Sequence, residues 1–405
     1  MATLVPTLSW EDTFARRMRG AGGEITAILA RAGATEMITF SGGFPAPETF
    51  PTDELSGVVK DLFGADAWRA MQYAPTPGLP GLRDVMIDRL ETTQGQAPAD
   101  GELLITSGGI DAMALIGRAL LDQGDLVAVE SPTYLGAITA FAAFEADMVG
   151  IPMDAQGLDV EALGRRLATG RKPKLLYTIP DHHNPTGLSL PAARRHALVE
   201  LCRRHGLPIV EDVAYRELGA GAAAAPSLWS LAPELVVQIG TFSKTFFPGV
   251  RLGWAVGPQP LIRHMVTAKQ NTDQCAGALG QRLAEEYLRS GDYDAQLPRS
   301  RHLYNERRAA TLEACAAHLP PGVTWTVPQG GFFTWLSAPI GVDTVAMSAP
   351  AEASGVAYVP GPPFYVGAGL GRNQLRLAYS RTTTAEIGEG VRRLAQLLAS
   401  TMAAA

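Results

Sequence analysis

Apolar positions in the middle of the chain fall in short unbroken runs: ELLIT at 102–106, DLVAVE at 125–130, KLLYTIP at 174–180, LPIVED at 207–212 and ELVVQIG at 234–240. A strand built from such a run is apolar on both faces, which suits a sheet covered on both sides. Helical stretches lie between the runs, DAMALIGRALL after the first and PAARRHALVELCRRHG after the third. That alternation predicts an α/β protein with a mainly parallel sheet wrapped by helices.

The helix from about Pro191 to His205 has readable ends, with Ser189 upstream, proline near its first turn, basic residues near its close and Gly206 as its stop. From about 259 to 315 the pattern is predominantly helical and reads as a long link toward a second domain. After Pro320, VTWTV, GFFTWLS and NQLRLAYS read as strands of a smaller α+β domain, closed by a helix over about 385–399. The division expected is an N-terminal arm over 1–50 that packs beside the smaller domain or on a partner subunit, a large domain over 51–300 and a small domain over 301–405.

Size and charge narrow the function. With 405 residues the chain exceeds a single small module, and its net charge of -6 with scattered arginines predicts neither nucleic acid nor membrane as a partner. Cys202, Cys275 and Cys315 are odd in number and far apart, so they build neither a disulfide scaffold nor a close zinc site, and no metal is expected. Neither a secretory leader nor an apolar run of membrane length is visible, which favours a soluble cytoplasmic protein.

Unusual segments follow the predicted strands: SGG at 107–109, SPTY at 131–134, HHNPTG at 182–187, EDVAY at 211–215 and GTFSK at 240–244. Ligands collect at strand carboxyl ends in open parallel sheets, so these segments predict one composite site. Each alone is compatible with an ordinary turn, a solvated acid or a surface lysine. Together they suit one chemistry: a lysine amine forms a Schiff base with an aldehyde, a buried carboxylate keeps a pyridine nitrogen protonated, and backbone N–H groups, hydroxyls and an arginine hold a phosphate. Lys244 is the amine, Asp212 the carboxylate, and Ser107, Gly108, Gly109, Thr241, Ser243 and Arg251 the phosphate cup.

These segments, with FSGGFPAPETFP at 40–51, YAPTPGLPGLR at 73–83, GTFSKTFFPGVRLGW at 240–254, PQGGFFTW at 328–335 and LRLAYS at 375–380, resemble the fold type I pyridoxal-phosphate enzymes. Within them the sequence is similar to class I/II aminotransferases of the subgroup holding 2-aminoadipate aminotransferases and broad-specificity bacterial relatives. The resemblance implies a large domain with a mainly parallel seven-stranded sheet, a smaller α+β domain and a homodimer. It assigns Lys244 to the Schiff base and the proton shuttle, Asp212 to the ring nitrogen, and Asn184 and Tyr215 to the ring oxygen. Tyr134 is expected over the ring, Tyr73 at the phosphate of the neighbouring subunit, Gly43 as a backbone contact to substrate, and Arg376 at the α-carboxylate.

Two departures bear on specificity. His182 and His183 stand where relatives usually carry an aromatic residue and a glutamine; a metal pair would need further ligands, whereas a substrate contact or tuning role for His183 stays open. Thr26 falls where 2-aminoadipate aminotransferases carry an arginine for an acidic side chain, and Arg31 lies nearby. The expected function is therefore ping-pong transamination from a neutral, aromatic or branched amino acid to a 2-oxo acid such as 2-oxoglutarate. The alternatives are an acidic donor, another carbanion reaction on the same cofactor (racemisation, elimination or oxidation), and an aminotransferase-like regulatory or interaction protein.

Overall fold

Five of the apolar runs become adjacent or near-adjacent members of an eight-stranded sheet. Its order is Leu103–Thr106, Gly253–Val256, Val236–Thr241, Ile209–Asp212, Leu175–Thr178, Leu126–Ser131, Asp147–Asp154, Gly157–Leu158. Gly253–Val256 runs antiparallel to both its neighbours, and the strands from Val236 to Asp154 pair in parallel. The computed structural model describes residues 9–18, 37–64, 67–219, 221 and 225–404.

Successive residues of the buried strands feed two cores. Leu176, Ile209 and Val236 pack into one, while Leu175, Tyr177, Val210 and Val237 pack into the other. This is the two-faced burial that the unbroken apolar runs demand. The sheet has eight strands rather than the expected seven because Gln156 N–H binds Asp154 Oδ1 at 2.7 Å and turns the chain back into the short strand Gly157–Leu158. The helix Ala192–His205 begins after Pro191 and ends with Gly206 in the left-handed region.

That helix also fixes the loop carrying the HHNPTG segment. Arg195 on its buried face donates from Nε to Leu190 O (2.8 Å), and from its terminal nitrogens to Pro180 O (2.9 Å) and Asp181 Oδ1 (2.6 Å). Arg216 adds a second ion pair to Asp181 at 2.8 Å. Because both partners are buried and fully bonded, the loop between the strand and the helix is held at both ends.

The smaller sheet is antiparallel, in the order Thr324–Trp325, Phe333–Ser337, Gln374–Ala378, Val359–Pro360. Helices Asp292–His318 and Thr384–Ala404 pack against each other beside it, and residues such as Leu336, Leu377, Val391 and Leu394 share its core. Of VTWTV only Thr324–Trp325 pairs, and the last helix is longer than the periodicity suggests. Ile38–Thr39 pairs in parallel with Val356–Ala357, which carries Ser41 and Gly43 toward the strand ends of the large sheet. No described helix is long and apolar enough to cross a membrane.

Gly187 joins the two sheets at close quarters. Its φ is 71°, and a Cβ there would lie 2.3 Å from the carbonyl oxygen of Phe333. Backbone strain and overlap both act against a side chain, so Gly187→Ala should destabilise the protein by about 2 kcal/mol. The expected readout is a melting temperature a few degrees below wild type by circular dichroism; an unchanged melting temperature would show that the loop yields freely.

Candidate active site

Asp212 is the last residue of its strand, so its side chain leaves the sheet at the carboxyl end. The Tyr177 hydroxyl donates to Oδ2 at 2.8 Å and the Ala214 N–H to Oδ1 at 3.0 Å. Burial pushes the carboxyl up to about 6, although both hydrogen bonds and the charge of Lys244 pull the other way. It is thus an anion at neutral pH, buried and bonded to neutral donors.

Lys244 follows the neighbouring strand Val236–Thr241 and reaches the same cavity. Its Nζ donates to Gly43 O at 2.8 Å and faces the rings of Tyr215 and Phe332 at 5.8 and 6.0 Å. Loss of solvent in the cleft brings the amine down to about 8; Arg376 adds to the shift and Asp212 opposes it. The lysine can therefore lose its proton at a pH where an exposed one keeps it.

Asn184 links the two sheets. Its Oδ1 accepts from Arg376 at 2.8 Å, which leaves its NH2 group to donate to the Tyr215 hydroxyl it bonds. Arg376 also donates to Ser41 O at 2.6 Å and lies against the rings of Phe333 and Phe364, 4.5 and 5.0 Å from their centroids. Its Nε is buried without a hydrogen-bond partner, and burial lowers the guanidinium to about 10. A planar cation with an unsatisfied donor suits a carboxylate.

On the opposite side, Thr241 Oγ1 donates to Ser243 Oγ at 3.0 Å and Arg251 donates to the same oxygen at 3.3 Å. Arg251 takes φ 50°, and its guanidinium lies where a Cβ on Gly108 would be, 2.8 Å from Nη2. Gly108, at φ 108°, is the residue the turn requires, and Gly109 opens the helix Gly109–Leu120. The first N–H groups of that helix have no intrahelical partner.

These groups surround a cavity of about 210 Å³. Tyr134, Asn184, Asp212, Tyr215, Lys244 and Arg251 line it, as do Gly109, Thr241 and Ser243. Phe44, Ile110, Met113 and Ile179 also line it; sequence reading missed them because an apolar wall carries no chemical signature. Ser107 sits at the edge, with its hydroxyl donating to Asp273 at 2.6 Å and its N–H to Asp111 at 2.8 Å. Tyr73 is 76% exposed on the outer surface, away from this cavity. Thr26 and Arg31 lie outside the described residues.

The two histidines point elsewhere. His183 Nε2 is 3.0 Å from the buried Glu130 carboxylate and its Nδ1 is 2.9 Å from Thr186 Oγ1. His182, at φ 50°, packs against Gly330 and Gly331, and burial lowers its imidazole to about 4. Neither lines the cavity. Among the described residues, no three or more histidines, cysteines, aspartates and glutamates are grouped to hold a metal.

The donor set fits pyridoxal phosphate. A carboxylate for a pyridinium nitrogen, an amine for an aldehyde, and hydroxyl, guanidinium and helix N–H groups for a phosphate share one cavity, and the Gly108 turn leaves no side chain in the way. Since only the neutral amine attacks an aldehyde, capture of pyridoxal phosphate by the cofactor-free protein should speed up about tenfold between pH 7 and pH 9 as Lys244 loses its proton. Stopped-flow absorbance, with borohydride reduction and peptide mapping to fix the lysine, measures this; a flat profile or a label on another lysine would contradict it.

Residues 55–394 match the family model described as aminotransferase class I and II. Aromatic-amino-acid aminotransferase 1 of Thermococcus litoralis is 36% identical over 403 residues, covering 98% of this chain and 96% of its own. The 2-aminoadipate transaminase of Thermus thermophilus is 37% identical over 404 residues, covering 98% and 99%. The crystal structure of a multiple substrate aminotransferase from Thermococcus profundus matches with a TM-score of 0.94 at 35% identity, over 98% of this chain and 100% of that one. With the family model spanning most of the sequence and the cavity offering the matching donors, the chain belongs to the class I and II aminotransferases, fold type I enzymes that use pyridoxal phosphate to pass an amino group between amino acids and 2-oxo acids.

Proposed function

We propose that the protein transfers the amino group of a neutral amino acid, aromatic or branched, to a 2-oxo acid such as 2-oxoglutarate by a ping-pong mechanism. The observation that carries this reading is the wall of Phe44, Ile110, Met113 and Ile179: among the described lining residues the cations are Lys244 and Arg251, and both belong to the cofactor's part of the cavity. An acidic side chain would meet apolar surface there and leave its charge unpaired, whereas a neutral one gains burial. The names of the relatives include aromatic and aminoadipate donors, so ancestry alone supports either choice.

When bound, the cofactor supplies the aldehyde that takes up the amino group and a ring that accepts the electron pair left at the substrate Cα. Asp212 would hold its ring nitrogen, Asn184 and Tyr215 its ring oxygen, Tyr134 its face, and Gly109, Thr241, Ser243 and Arg251 its phosphate, with Gly108 giving them room. Arg376 takes the substrate α-carboxylate between the Phe333 and Phe364 rings with the N–H groups that Asn184 and Ser41 leave free. Gly43, whose carbonyl now holds Lys244, becomes a backbone contact to substrate once that amine is engaged. Lys244 Nζ, half-buried in the cleft, removes and returns the α-proton.

The reading includes a homodimer. Trp68, Met71 and Tyr73 are 62, 67 and 76% exposed on and just after the helix Ala67–Met71, an apolar face that a second copy would cover. Such a copy would bring Tyr73 to the phosphate site of its partner. Met71→Asp should convert the dimer to monomer in sedimentation velocity and weaken cofactor binding together with it; a variant that stays dimeric with full affinity would place the interface elsewhere.

Mixing the cofactor-loaded protein with single amino acids, without an oxo acid, tests the donor class. Phenylalanine or leucine is expected to bleach the band near roughly 400 nm and release one equivalent of 2-oxo acid per site, faster than 2-aminoadipate by about tenfold or more. Preference for 2-aminoadipate would overturn the neutral-donor reading, and a bleached band without 2-oxo acid would point to other carbanion chemistry.

A further inference from the structure

Beside the phosphate turn lies an ionic cluster, built on a buried lysine and reaching solvent at Asp273, that none of the roles above uses. Lys269, in the last turn of the helix Gln259–Gln270, has no solvent exposure. Its Nζ donates to Asp111 Oδ2 at 2.8 Å, to both oxygens of Asp273 at 2.9 and 2.8 Å, and to Ser107 Oγ at 3.3 Å. A buried ammonium is costly unless fully bonded, and here its partners converge on one residue.

That residue is Ser107. Its N–H donates to Asp111 Oδ2 at 2.8 Å, its hydroxyl to Asp273 Oδ2 at 2.6 Å, and its carbonyl accepts from Arg251 at 3.4 Å. Every polar group of Ser107 is therefore engaged, two of them by the carboxylates that Lys269 holds. The hydroxyl is turned toward Asp273 instead of being free to donate into the cup.

From this geometry we infer that Lys269 is a positioning residue for cofactor phosphate binding, acting through Asp111, Asp273 and Ser107. The inference rests on the reading of Gly109, Thr241, Ser243 and Arg251 as the phosphate site. Two carboxylates beside an anion site repel the anion, and Lys269 offsets that repulsion at the point where they touch the turn. Its bonds also draw both carboxylates onto Ser107, which fixes the turn through Gly108 and keeps Arg251 aligned with Ser243. The Ser107 side chain serves as a brace for the cup, while the helix N–H groups, Thr241, Ser243 and Arg251 meet the phosphate.

The test compares binding of pyridoxal phosphate with pyridoxal, which lacks the phosphate, to full-length protein freed of cofactor. Lys269→Met is expected to weaken pyridoxal phosphate by about tenfold or more and to leave pyridoxal nearly unchanged, so the preference for the phosphate form collapses. Asp273→Asn, which removes one negative charge while its amide oxygen can still accept from the Ser107 hydroxyl, is expected to raise that preference, and it keeps the test decisive if Lys269→Met does not fold. A merely structural role would weaken both compounds alike, and that result, or an unaltered preference in either variant, would overturn the inference. If wild type itself shows no preference for the phosphate form, the reading of the phosphate site fails first, which separates the two claims.

Discussion

The site depends on one electrostatic arrangement, a carboxylate and an amine held in a shared cavity without touching a strong partner. Among the described residues, Asp212 is bonded to a phenol and an amide N–H, and Lys244 to a backbone carbonyl. Burial acts on both in the direction that disfavours charge, bringing them to about 6 and about 8. At neutral pH Asp212 is an anion awaiting a cation, and Lys244 is a base that needs little driving force to give up its proton. A direct ion pair between them would hold Lys244 protonated and leave Asp212 already partnered, removing the reactivity of both.

The fold exists around that cavity. Parallel strands deliver Asp212 and the segments ending in Asn184 and Lys244 to one edge, and the antiparallel small sheet supplies Arg376 from the far side. Arg195 and Asp181 anchor the loop bearing Asn184, and the bare backbone at Gly187 lets the small sheet approach it. Lys269, its two aspartates and Ser107 brace the third side. These supports place the reacting groups through backbone geometry and through bonds such as that of Arg376 to Asn184.

Much of this was legible in the sequence because strand ends carry chemistry where strand middles carry none. The apolar runs located the central strands, and the residues just past them located Asp212, Asn184 and Lys244. The strand Asp147–Asp154 was not legible, since it is partly exposed, carries aspartate at both ends and contains Pro152, all of which read as loop. Gly253–Val256 was hidden inside a segment whose meaning was taken from Arg251. The brace at Ser107 joins residues far apart in the chain, Asp111 with Lys269 and Asp273, and a lone buried lysine has no signature distinct from a surface one. Ser107 was placed in the phosphate cup by its position between a strand and a helix, which could not reveal that its hydroxyl meets Asp273.

The most direct measurement is exchange of the substrate α-hydrogen with deuterated solvent, followed by NMR, in wild type and in Asp212→Asn with equal cofactor content. A buried anion that stabilises charge as the α-proton leaves predicts a fall in exchange on the order of a hundredfold or more, with cofactor still bound. Exchange within about threefold of wild type would contradict the assignment of Asp212 as the group on which the chemistry depends.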